Sequence, residues 1–124
     1  MLKNASIVAF VAITDVERAR RFYEHTLGLT PLRDEPFALV FDANGVTLRL
    51  AKVERLSPAP YTVLGWRVPD IAAACARLAA AGVRFEHYEG MQQDEAGIWA
   101  APDGGYVAWF KDPDGNTLSL TQAE

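Results

Sequence analysis

Apolar and polar positions change period several times along the 124 residues, and each change marks an element. From Ile7 to Ile13 both alternating sets are apolar, which predicts a strand covered on both faces: Ile7, Ala9, Val11 and Ile13 on one side, Val8, Phe10 and Ala12 on the other. The spacing then turns helical. Val16, Ala19, Phe22, Tyr23 and Leu27 form one stripe behind a Thr14-x-x-Glu17 capping box. Gly28 stands where a left-handed C-terminal cap belongs, so a helix is expected from about Asp15 to Leu27. Three strand-like runs follow, Leu29 to Arg33, Phe37 to Asp42 and Val46 to Lys52, and Asn44-Gly45 between the last two is a strong hairpin signal.

After a short linker around Ser57-Pro58-Ala59-Pro60 the same order begins again. Tyr61 to Val68 reads as a strand, Asp70 as a helix cap, and Ile71, Cys75, Leu78 and Ala79 as the buried stripe of an Ala-rich helix that Gly82 stops. Val83 to Tyr88 is a further strand, and Tyr106 to Phe110 with Thr117 to Thr121 makes a closing hairpin. The closing segment Asn116-Thr117-Leu118-Ser119-Leu120 echoes Val46-Thr47-Leu48-Arg49-Leu50, so the chain is two copies of a β-α-β-β-β module. Module one covers 5–52, the linker 53–60 and module two 61–122, within a single domain. Asp15 to Asp70 is an offset of 55 and Gly45 to Gly115 one of 70, which leaves about 15 extra residues in module two, placed at Glu89 to Asp103 as a loop with a short strand at Gly97 to Ala101.

Alternation assigns side chains to faces. With Leu48, Leu50, Leu118 and Leu120 turned inward, Thr47, Arg49, Thr117 and Ser119 share the opposite face. With Leu64, Trp66 and Val68 inward, Val63, Gly65 and Arg67 do the same. Arg49 and Arg67 on one face are suited to a carboxylate or phosphate, against the simpler alternative that each pairs with a nearby acid. Phe10, Trp99 and Trp109 are candidates for a flat apolar wall.

Composition narrows the classes. Half the residues are hydrophobic and 23% are charged, as in an ordinary folded domain, and the formal net charge of −4 with no basic cluster argues against nucleic acid or an anionic membrane surface as partner. No apolar run is long enough to span a membrane and the N-terminus lacks a signal-peptide plan, so a cytoplasmic protein is expected. The single cysteine, Cys75, forms no intrachain disulfide and reads as a small core residue. His25 falls on the back of the first helix and His87 late in a module-two strand, both read as surface or satisfied residues, and no nucleophile triad or phosphate loop is visible.

The Asp15-x-x-x-Ala19-x-x-Phe22-Tyr23 helix start, Leu27-Gly28-Leu29, and Phe110-x-Asp112-Pro113-Asp114-Gly115-Asn116 near the end resemble the vicinal oxygen chelate superfamily of glyoxalase I, bleomycin-resistance proteins and extradiol dioxygenases. The resemblance implies an α+β fold: two tandem β-α-β-β-β modules forming a cup-shaped, curled mixed sheet with helices on the outer face. In the enzymes of that superfamily a metal is held by one side chain from the first and one from the last strand of each module, positions that fall here on Val8, Arg49, Val63 and Ser119. Two valines, a guanidinium and a hydroxyl do not make a divalent-metal site, so neither a metal nor another cofactor is expected. The resemblance further implies a homodimer that completes its clefts across two chains. Phe10, Arg49, Arg67, Trp99, Trp109 and Ser119 are accordingly the candidate ligand-binding residues of a metal-independent protein that holds an anionic or aromatic small molecule. The alternative is a metal-dependent isomerase, lyase or oxygenase whose ligands lie elsewhere, and catalysis itself is left undecided.

Overall fold

The computed structural model describes residues 1–124. Its order is β1 (Val8–Ile13), α1 (Val16–Arg20), a π-helical continuation (Arg21–Thr26), β2 (Thr30–Glu35), β3 (Ala38–Ala43) and β4 (Val46–Lys52), then β5 (Thr62–Arg67), α2 (Ile71–Ala80), β6 (Trp99–Ala100), β7 (Tyr106–Lys111) and β8 (Thr117–Gln122). The chain divides into two units, Met1–Ser57 and Pro58–Glu124. Each has one four-stranded mixed sheet, ordered β1-β4-β3-β2 in the first unit and β5-β8-β7-β6 in the second. The outer pairs β1/β4 and β5/β8 are parallel and the rest antiparallel, so the repeat in sequence is a repeat in topology and the fold is α+β.

In the first unit the helix starts at Asp15, whose extended backbone and carboxylate, accepting from the Arg18 N–H at 3.1 Å, make it the N-cap. The expected Thr14 capping box is thus displaced by one residue; Thr14 Oγ1 instead accepts from the Arg18 guanidinium at 3.5 Å. Beyond Arg20 the hydrogen bonds lengthen to the π pattern, with the Leu27 N–H reaching the Phe22 carbonyl at 2.9 Å. Side-chain periodicity does not reveal the widened turn, because the same stripe still faces inward. Tyr23 ends up fully buried, edge-on to Phe22 at 5.2 Å and against Phe41 at 6.3 Å. Val11, Ile13, Leu39, Phe41, Leu48 and Leu50 complete this core. Asn44 and Gly45, both at positive φ, make the tight turn into β4.

The opposite face of β1 departs from expectation. Val8 is 46% and Phe10 62% exposed, so within one chain β1 is covered on a single face.

In the second unit Asp70 caps α2 through the Ala73 N–H at 3.1 Å, and Ile71 and Cys75 meet Ala108, Phe110, Leu118 and Leu120 in the core. Trp66 stacks on Phe110 at 6.5 Å. The turn Asp112 to Asn116 is closed by its own side chains: Asp112 Oδ1 accepts from the Asp114 and Asn116 N–H groups, and Oδ2 from the Asn116 amide at 2.9 Å. The most family-like stretch of the chain is therefore a structural turn.

Val83 to Tyr88 is not a strand. Its backbone meets the sheet only through an isolated bridge from Phe85 to Phe110 and one bond from the Glu86 N–H to the Trp109 carbonyl at 2.8 Å. The Gln93 side chain occupies the role a neighbouring strand would have: its carbonyl accepts from the Tyr88 N–H at 2.7 Å, and its amide donates to the Glu86 and Gly97 carbonyls at 2.9 and 2.7 Å. The sheet edge is supplied instead by the two-residue β6, from within the extra segment.

Candidate ligand-binding site

Strand register builds a continuous row across the second sheet, on the face turned away from the Leu118/Leu120 core. Arg67 on β5 lies beside Thr121 on β8, Thr121 beside Val107 on β7, and Val107 beside Trp99 on β6. These four side chains, with Tyr106 and Gln122, line an open cavity of about 550 Å³. A smaller one of about 310 Å³ adjoins it, bounded by Val68 and Pro69 and sharing Arg67 and Gln122. Both volumes lie in the range of small-molecule sites.

The next row holds Gly65, Ser119 and Trp109. Ser119 is only 5% exposed and does not border the cavity. A methyl on residue 65 would sit 2.7 Å from the Ser119 oxygen, so the glycine is what lets the two strands keep that hydroxyl between them. Trp109 packs at 6.0 Å from Trp99 and edge-on to Tyr88 at 5.6 Å, making a three-ring cluster behind the cavity wall. Burial first, and then the nearby Glu86 charge, push the Tyr88 hydroxyl above its ordinary pKa. The ring therefore stays neutral.

Arg67 has no acidic partner and no hydrogen bond, which leaves its guanidinium available on the cavity wall. Arg49, in the first unit, differs. It stands in a row with Phe10, Val40 and Arg33, and its Nη1 lies 3.0 Å from Glu35 Oε1. Glu35 also accepts from Arg33, and these two bonds, Arg33 first, hold its carboxyl below the usual range. Of the six sequence candidates, Arg67 and Trp99 line the cavity, Trp109 supports it, and Ser119 lies on the same face one row away. Phe10 and Arg49 belong to the first unit. Thr121 has the same strand parity as Thr117 and Ser119 and was legible from alternation; Tyr106, Gln122 and Gln93 carried no local signal, because their roles depend on register and on the path of the extra segment.

A sequence model described as the Glyoxalase/Bleomycin resistance protein/Dioxygenase superfamily matches residues 6–120. The chain belongs to this superfamily. Its fold is similar to that of a superfamily member from Sphaerobacter thermophilus DSM 20745, with a TM-score of 0.76 at 25% identity over 98% of this chain and 99% of the other. It is also similar to TnmS3, an antibiotic binding protein from Streptomyces sp. CB03234, with a TM-score of 0.69 at 28% identity over 98% of each chain. Lactoylglutathione lyase from Agrobacterium tumefaciens, at 18% identity and a TM-score of 0.72 over 95% and 93% of the two chains, shares the fold. Comparison with curated proteins finds no match.

The superfamily's enzymes hold a metal, and the donor set here does not fit one. Val8 and Val63 carry no lone pair, Arg49 is engaged by Glu35, and Ser119 offers a single hydroxyl. No group of three or more His, Cys, Asp or Glu side chains is arranged to hold an ion. His25 is exposed beside Glu24 at 4.0 Å, and His87 Nε2 is 3.2 Å from the Asp94 carbonyl oxygen.

Proposed function

We propose that this glyoxalase-superfamily protein binds a small aromatic or anionic organic molecule in the cavity of its second unit and does so without a metal. The observation that carries this is the unpaired Arg67 set in one row with Trp99 on the wall of a 550 Å³ cavity. A cation with no acid partner at one end of the row and an aromatic face at the other give orientation and apolar area together. The similarity to an antibiotic binding protein of 28% identity supports binding as the activity. The same reading places the protein in the cytoplasm as a homodimer: exposed Val8 and Phe10 and the unpaired sheet edges favour association of two copies, and Cys75 is a free buried thiol.

A thermal-shift screen of aromatic carboxylates and neutral analogues tests the binding, since a ligand of the folded state raises Tm by mass action. Quenching of Trp99 and Trp109 fluorescence by the same hits is the expected second signal. Elemental analysis should find no stoichiometric metal, and EDTA should leave Tm unchanged. About one equivalent of zinc, nickel, iron or manganese, lost along with stability on chelation, would replace this reading with a metal-dependent enzyme. Light scattering that gives the 13.6 kDa of one chain would remove the dimer.

A further inference from the structure

The row that carries Arg67 and Trp99 fixes how far apart they stand. Arg67 pairs with Thr121, Thr121 with Val107 and Val107 with Trp99, so the two side chains rise from backbones three strand spacings apart, about 14 Å at roughly 4.8 Å per step. The next step of the same parity, past the pairs Tyr106–Gln122 and Ala100–Tyr106, brings Ala123, Gly105 and Ala101, and all three line the 550 Å³ cavity. The Ala101 N–H donates to the Gly105 carbonyl at 2.7 Å, which ties two of them together. Two methyls and a hydrogen leave open the space that larger side chains would fill. The cavity is therefore a trough that runs across the strands over a floor of small residues, with Arg67 at one end and Trp99 at the other.

The two ends differ in charge. Arg67 is the one cation on the cavity wall and has no acidic partner. Asp103 lies in the loop between β6 and β7, at the Trp99 end, and the Glu124 carboxylate rests against the neighbouring Gly104. Gln122 has the parity of the buried leucines and spends its carbonyl on the Ile71 N–H on the helix side of the sheet, so it adds nothing to the Arg67 end.

Resting on the binding role proposed above, we infer that the trough selects its ligand by length and by the direction of its charge. The class that fits is a rod-shaped molecule about two aromatic rings long, with a carboxylate at the Arg67 end and an uncharged ring end against Trp99. A one-ring acid spans only about half of the row, so it engages one end and leaves the other empty. A bent two-ring acid of the same composition meets the same limit. A planar carboxylate suits the guanidinium fork, and a second anionic group at the far end would face Asp103.

Calorimetric titration of the full chain with four probes tests this: linear biphenyl-4-carboxylate, its bent isomer biphenyl-2-carboxylate, neutral biphenyl-4-carboxamide and biphenyl-4,4′-dicarboxylate. The two isomers share charge and apolar area, so hydrophobicity alone does not separate them. The linear acid should bind about tenfold or more tightly than the bent one, because only it buries its second ring on Trp99 while reaching Arg67. Arg67→Ala should weaken the linear acid by about tenfold to a hundredfold and leave the carboxamide within about a factor of two. The dicarboxylate should bind more weakly than the linear monoacid, and Asp103→Asn, on an exposed loop, should narrow that gap while leaving the monoacid within about a factor of two. Ala101→Leu, which fills the floor, should weaken the linear acid by about tenfold or more with Tm near wild type. Equal affinity for the two isomers, or an Ala101→Leu protein that binds the linear acid as wild type does, overturns selection by length while the cavity remains a binding site. Equal affinity for the linear acid and its carboxamide, or a dicarboxylate that binds as tightly as the monoacid, overturns the direction of charge. Failure of all four probes to bind overturns the binding role of the cavity itself.

Discussion

Replacing Gln93 by alanine tests whether one side chain does the work of a β-strand in the second unit. The substitution removes three hydrogen bonds at once, to the Tyr88 N–H and to the Glu86 and Gly97 carbonyls. Each is worth about 0.5–1.5 kcal/mol net, so the gross loss is about 1.5–4.5 kcal/mol. Tyr88 is 36% exposed, so water can reach part of the freed backbone and the expected cost is about 2–3 kcal/mol. For a chain of this size that is a fall in Tm of roughly 8–12 °C. The Tyr88 amide should also lose hydrogen-exchange protection, and near-UV circular dichroism should weaken, because the segment on which Gln93 acts carries Tyr88 and leads to Trp99, both packed on Trp109. Gln93→Glu sharpens the test. It keeps the acceptor for Tyr88 but sets oxygen against the Glu86 and Gly97 carbonyls, so it should be at least as damaging as alanine at neutral pH. If both variants unfold within about 0.5 kcal/mol of wild type with Tyr88 still protected, the glutamine is incidental and the segment is held by Phe85 and Gly97 packing alone.

Gly65→Ala should destabilise by about 1–3 kcal/mol, since its methyl would lie 2.7 Å from Ser119 Oγ, and Ser119→Ala should recover a measurable part of that in a double-mutant cycle read by urea unfolding; purely additive effects would disprove the clash. Lys52 bonding holds Asp34, and Arg33 with Arg49 holds Glu35, below their ordinary values of 3.8 and 4.5, so their support for the folded state is complete above those values and is lost as pH falls toward the depressed ones. Glu35→Gln should accordingly flatten the acid limb of the stability-versus-pH curve, and an unchanged limb would show that Glu35 gives no pH-dependent support. The Cys75 thiol is pushed up to about 11, mainly by burial and further by Asp94, so a neutral-pH thiol reagent should label it only after unfolding. Rapid labelling of the native protein would contradict its place in the core.

What the sequence determined by itself was whatever depends on short-range pattern. The repeat, the Asn44-Gly45 turn, the Asp70 cap and the parity that sets Leu118 against Ser119 all rest on spacings of a few residues, and the structure bears them out. The same parity placed Arg67 on the face where the cavity opens. Tertiary structure decided the rest. A strand needs a partner as well as a pattern, so Val83 to Tyr88, strand-like in composition, lost its edge position to the two-residue β6 and to the Gln93 carboxamide. Arg49 and Arg67 are equivalent in local pattern, yet Glu35 lies within reach of one and no acid within reach of the other. Their difference is a Coulombic one, set by the β2/β3/β4 register and not by local spacing. Likewise only the packed helix start could fix which end of the Gln122 carboxamide is engaged, because a carboxamide has no direction until one of its ends is bound.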